Sequence, residues 1–226
     1  MNSKKNPISR SLLSWSIACL GIAASYGFDA TPQVPGTCTT PVTERTSDAG
    51  CYVDANESLG ELPTQPVYWH IYNFPTRVAA EAVKPLHGTV IESFGRVWLY
   101  AIAIADWHPT SGQRVAVIGP LGIVAGKHYT ARYMEAAFTP GMRARAHEHS
   151  GPEAFYVVSG TQCLETPDGI VLSHAGQSAV APQGAFMTVK GVGQEVRRAL
   201  VVVLHDSEQP WQTLTNQWTP KGLCPL

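Results

Sequence analysis

Gly141-Met142-Arg143-Ala144-Arg145-Ala146-His147-Glu148-His149-Ser150-Gly151-Pro152-Glu153 is the stretch that decides the reading of this chain. In a β-strand, residues two apart point to the same face, so His147 and His149 aim two imidazoles at one point. Ser150-Gly151-Pro152 is a turn-like break that lets the chain fold back and bring Glu153 in from the neighbouring strand. Two neutral imidazoles and one carboxylate form a donor set for a divalent transition metal with open positions. The same spacing on a polar strand also describes two exposed histidines, and periodicity alone does not choose between them.

The sequence around this stretch is strand-rich. From residue 113 onward, short apolar runs alternate with turn residues: Arg114 to Ile118, Tyr129 to Phe138, Arg143 to His149, Ala154 to Val158, Thr161 to Thr166, Ile170 to Ser173, Ser178 to Ala181, Ala185 to Val189 and Val196 to His205. Gly119-Pro120, Pro140-Gly141, Asp168-Gly169 and Gln183-Gly184 punctuate them. Evenly spaced short strands of this kind argue for a sandwich or barrel.

The segment from Gly141 to Gly184 resembles the cupin family. Gly141, His147, His149, Glu153 and Gly160 stand at the spacing of the family's first motif, and Gly176, Pro182 and Gly184 at that of its second. The resemblance covers residues 112 to 206. It implies a mainly β fold, a cupin-type jelly-roll β-barrel. It also implies that His147, His149 and Glu153 are metal ligands. The departure is Met187, where the second motif has a histidine, with Gly191 where it has asparagine. His174 precedes Gly176 and cannot take over that slot. Three readings are open. His147, His149 and Glu153 alone hold Fe, Mn, Ni or Zn, or Met187 is a thioether ligand that favours Cu, or Met187 is a pocket wall and metal is weak or absent.

If the histidine strand is regular, Arg143 and Arg145 share its inner face, and Arg145 is the better placed to bind an anion in the pocket. By the same parity Phe155 supplies apolar lining, and Gln162 is a polar inward group. Arg145, Phe155, Gln162 and Met187 are thus the candidate substrate-binding residues. Catalytic residues proper are not identifiable.

The chain has 226 residues, 44% hydrophobic and 15% charged, enough for a packed core. Lys4, Lys5 and Arg10, followed by an apolar run from Leu12 to Ala24 and small residues to Gly27, read as a secretory signal peptide. Without residues 1–27 the chain holds 13 basic and 17 acidic residues, a net charge of −4, which argues against nucleic acid or an anionic membrane as partner. The run is short for a transmembrane helix, so no stable membrane span is expected in the mature form. Four cysteines remain, Cys38, Cys51, Cys163 and Cys224, compatible with two disulfides in three connectivities in an oxidising compartment.

The expected organisation is a signal peptide over 1–27, an irregular arm over 28–66, a small α+β extension over 67–110, the barrel over 111–206 and a C-terminal tail over 207–226. The extension reads as β-α-β-β, with a helix from Thr76 to Lys84. Two functions are compatible with these features. One is a secreted or periplasmic metal-dependent cupin enzyme, an oxidoreductase of dioxygenase type or a lyase or isomerase, acting on a small carboxylate, enol or phenolic substrate. The other is a non-catalytic small-molecule or metal-binding cupin with a degenerate site. A homodimer is left open.

Overall fold

The computed structural model describes Met1 and residues 38–226. The signal peptide and the first part of the arm lie outside the described residues. The strands are β1 (Gly50–Glu61), β2 (Val67–Phe74), β3 (Gly88–Ser93), β4 (Arg96–Ile104), β5 (Gln113–Leu121), β6 (His128–Phe138), β7 (His147–Glu148), β8 (Glu153–Ser159), β9 (Thr161–Thr166), β10 (Gly169–His174), β11 (Ser178–Ala181), β12 (Thr188–Val192), β13 (Arg197–Asp206) and β14 (Thr213–Leu214), with one helix, α1 (Arg77–Glu81). The fold is mainly β, as the sequence predicts.

One wall of the barrel is a five-stranded antiparallel sheet in the order β1-β6-β13-β8-β11. The other is β10-β9-β12, continued toward β7 and β14 by bridges between Arg143 and Lys190 and between His147 and Met187. Their facing side chains form an apolar filling that includes Val53, Met134, Phe138, Phe155, Leu164, Met187, Val189 and Val201. A separate four-stranded sheet, β3-β4-β2-β5, covers the outer face of the five-stranded wall. There Trp69, Ile71, Trp98, Tyr100 and Ile118 pack against Tyr129, Ala131, Tyr133, Leu200, Val202 and Leu204. The five-stranded sheet is therefore the middle layer of three. A sheet buried on both faces needs apolar residues at every position rather than every second one. That is why β13 runs Ala199-Leu200-Val201-Val202-Val203-Leu204 without a break, all six buried.

Thr76 caps α1 by accepting a hydrogen bond from the Ala79 amide. The helix is shorter than the sequence pattern suggests, and it packs Ala80 with Tyr72, Phe74, Val90 and Leu99 on the far face of the four-stranded sheet.

Two expectations need correction. Residues 50–61, expected within an irregular arm, form β1, the longest strand, paired with β6 along its length. Register shifts between Val53 and Ala55 and between Ser58 and Gly60 break the alternation that would have revealed it. Residues 113–121, assigned to the barrel, pair with β2 and so belong to the covering sheet.

The cysteines pair as Cys38–Cys51 and Cys163–Cys224. The first ties the segment before β1 to that strand. The second pins the tail to β9, aided by hydrogen bonds from the Leu223 amide to Glu165 and from Lys190 to the Pro225 carbonyl. Among the described residues no helix is long and apolar enough to cross a membrane.

Candidate metal centre

His147 lies on β7, His149 just beyond it, and Glu153 opens β8. The turn between them is fixed by Gly151: a Cβ there would run into the Leu204 carbonyl of β13, so only glycine lets the two segments approach. The imidazole rings of His147 and His149 sit 4.8 Å apart at 79°. One ligand atom from each histidine and one carboxylate oxygen of Glu153 lie within 4.8 Å of one another. All three side chains are buried, none more than 5% exposed.

Each ring is held from behind. His147 Nδ1 donates to the Arg145 carbonyl at 2.7 Å, and His149 Nδ1 to the Trp211 carbonyl at 2.6 Å. A ring that donates through Nδ1 keeps its lone pair on Nε2, on the side where a ligand atom is needed. His149 Nε2 stands 3.3 Å from Glu153 Oε2, yet neither atom has a hydrogen-bond partner. Burial lowers the pKa of His147, and this outweighs the pull of Glu153. Burial also pulls His149 down, but the Glu153 carboxylate and the Trp211 carbonyl together raise it above the ordinary histidine value. Buried polar atoms are rarely left without partners. His149 Nε2 and Glu153 Oε2 stand without them, and with His147 they bring three ligand atoms together, a set that suits a divalent transition ion.

These groups bound a narrow cavity of about 40 Å³ inside the barrel, together with Phe138, Phe155, Arg197 and Trp211. A single buried water needs about 10–15 Å³ measured this way, so the space is that of a few waters. Trp211 comes from the C-terminal tail. It stacks on His149 at 5.5 Å and carries the Arg132 guanidinium at 4.4 Å on its ring. The tail is held beside the site by the pairing of β14 with β7 and by the Thr215 amide donating to the Ala146 carbonyl.

The other sequence candidates divide. Phe155 lines the cavity. Gln162 is fully buried and reaches the site through Arg197, whose Nη2 donates to its Oε1. Met187 is buried in the apolar filling and exchanges two backbone hydrogen bonds with His147, but it is absent from the cavity wall. Gly191, the other departure from the second motif, leaves no room for a side chain: a Cβ would meet the Phe138 and Thr139 carbonyls at 3.0 Å.

Arg145 is a correction. Its side chain is exposed and lines a different groove with Arg143, Thr215 and Trp218. The segment before β7 is not a regular strand: only a bridge at Arg143 precedes His147, so parity does not carry back along it. The guanidinium that does enter the barrel is Arg197, which the motif and its flanking parity do not reach. It is 1% exposed and sits over the rings of Phe138 at 4.9 Å and Phe155 at 5.9 Å. Burial lowers its pKa to about 9, against the raising effect of Glu153. A signal was present: Arg197 is in phase with Ala199, Val201 and Val203, the inward residues of β13.

No protein-family model matches the sequence, and no curated protein is similar to it. Solved structures do resemble its fold. A cupin-like protein from Thermotoga maritima matches 38% of this chain and 64% of its own, at 14% identity and a TM-score of 0.35. A cupin-2 domain protein from Shewanella frigidimarina matches 32% of this chain and 68% of its own, at 20% identity and a TM-score of 0.28. A DMSP lyase from Ruegeria pomeroyi matches 41% of this chain and 45% of its own, at 16% identity and a TM-score of 0.34. Likenesses this distant say nothing of substrate. With His147 on β7, His149 just beyond it and Glu153 at the start of β8, all enclosed by two packed antiparallel walls, the mainly β fold is cupin-like.

Proposed function

We propose that this protein is an exported cupin that holds one divalent transition metal on His147, His149 and Glu153 and acts on a small oxygen-bearing organic molecule. The observation that carries the reading is the convergence of three buried ligand atoms within 4.8 Å, with both histidine Nδ1 atoms already committed to carbonyls. Fe, Mn, Ni and Zn all accept such a set. Met187 is not on the cavity wall, so a thioether ligand gives no preference for Cu over these. When bound, the ion supplies Lewis acidity, and as iron also redox chemistry. The chain's own residues do the rest: Phe155 and Trp211 give the cavity apolar walls. The reaction class is that of a lyase, an isomerase or a dioxygenase.

A specific observation favours a second reading, a binding protein without chemistry. The cavity of about 40 Å³ is lined by a tryptophan stacked on His149 and admits only a small group. The two disulfides fit an oxidising compartment, secreted or periplasmic, and the mass of the mature N-terminus checks export.

Elemental analysis of protein purified without chelator, beside His147→Ala/His149→Ala, tests the metal. Near one equivalent in the wild type and background in the variant is the expected result. No metal in the wild type after reconstitution with Fe, Mn, Ni and Zn removes the metalloprotein reading. Metal without turnover on carboxylate, enol and phenolic panels favours the binding protein.

A further inference from the structure

Arg197 is the one buried guanidinium on the wall of the metal cavity. Its position is fixed from three sides. Two aromatic faces flank it, and Gln162 accepts from Nη2. Its Nε and Nη1 have no hydrogen-bond partner, nor does the amide nitrogen of Gln162. A guanidinium is a poor choice for filling space, since a buried cation without full pairing costs stability that an apolar side chain of equal volume would not. It suits a planar oxyanion, which takes two parallel hydrogen bonds from it.

Charge balance points the same way. Without metal, Glu153 offsets Arg197 across the cavity. With a divalent ion on His147, His149 and Glu153, the carboxylate is already matched, and the cavity holds two surplus positive charges. An anionic group on the substrate reduces that surplus inside a low-dielectric space, where it counts most.

We infer that Arg197, positioned by Gln162 and by the rings of Phe138 and Phe155, is the binding group for the carboxylate of a small substrate, in the same cavity as the metal ligands. The inference rests on the proposed metal reading for the whole of that charge surplus; Arg197 offers its donors with or without the ion. The cavity limits the anion to carboxylate size unless Trp211 and the tail move aside.

Acetate, with acetamide as its neutral counterpart of the same shape, is the probe. Binding is followed by calorimetry on the full mature chain, both zinc-loaded and chelator-treated. Acetate binds and acetamide does not. Arg197→Met weakens acetate about 10–100-fold, the range for losing hydrogen bonds to a charged group, while its zinc content and melting temperature hold or rise. Arg197→Lys retains part of the binding. Acetate binding that is unchanged in Arg197→Met, or matched by acetamide, overturns the inference. If neither variant folds, the Arg197 Nε–H resonance of the wild type decides: it moves with acetate and not with acetamide, and a static resonance overturns the inference. A wild type that takes up no zinc but still binds acetate through Arg197 refutes the metal reading and leaves this one standing.

Discussion

The two faces of the five-stranded sheet hold buried polar atoms without partners, and they differ in kind. On the inner face these are His149 Nε2, Glu153 Oε2 and the free nitrogens of Arg197, around a cavity. On the outer face, toward the covering sheet, they are Trp69 Nε1, the hydroxyls of Tyr100 and Tyr133, and both oxygens of Asp54. There the rings pack against one another, Trp69 with Tyr100 at 5.2 Å and Tyr100 with Tyr133 at 5.1 Å. Burial holds the groups neutral: the two phenols are pushed well above the ordinary tyrosine value, and Asp54 is raised to about 8. The difference teaches that lack of a partner does not by itself mark a site. Convergent lone pairs beside open space do, whereas scattered donors in a packed aromatic layer contribute mainly packing.

The sharpest way to break this contrast is Trp69→Ala. Removing the fully buried ring should cost about 3–5 kcal/mol in denaturant unfolding, with metal per folded mole unchanged. Loss of metal in folded protein would mean that the outer layer is part of the site. The converse substitution, Glu153→Gln, should weaken metal binding at least a hundredfold, taking the effect of supporting groups as a lower bound, while a competition assay with a chelator measures it. Its melting temperature without metal should fall, because the buried Arg197 and His149 lose the carboxylate that offsets their charge.

Asp54 sharpens the outer side. Its folded-state pKa lies above its unfolded value, so between pH 4 and 8 the folded state binds the extra proton and stability falls as pH rises. Asp54→Asn should flatten that slope and stabilise the protein at pH 8 relative to pH 5 by about 4 kcal/mol, read from urea unfolding at the two values. An unchanged slope would place the carboxylate in contact with solvent. Smallest is Arg145→Ala, expected to shift stability by less than about 0.5 kcal/mol and to leave metal and acetate binding alone. A tenfold loss of either would return Arg145 to the cavity.

Much of the barrel was legible because its cues are local. Strand alternation, Gly-containing turns and the His-x-His spacing each involve residues within a few positions of one another, and the hairpin of β9 and β10 across Asp168-Gly169 follows from them. The helix cap at Thr76 was legible for the same reason. β1 was not, since its two register shifts scramble the period, and neither was Arg145, whose strand lapses into irregular backbone before His147. Arg197 was hidden by its surroundings in sequence. Beside Arg198 it reads as a charged strand entry, though Arg198 is exposed and Arg197 is inside.

By itself the sequence determined the donor chemistry. Two imidazoles two residues apart and a carboxylate after a Ser-Gly-Pro turn can share one face by backbone geometry, whereas the close approach to Leu204 that only Gly151 permits is a tertiary contact. Tertiary structure alone decided what surrounds them: which guanidinium enters, that Trp211 from 62 residues beyond His149 holds and stacks on that ring, and which cysteines meet. Those contacts join segments distant in the chain. They depend on how three sheets stack and where the tail is tied, and no local period records either.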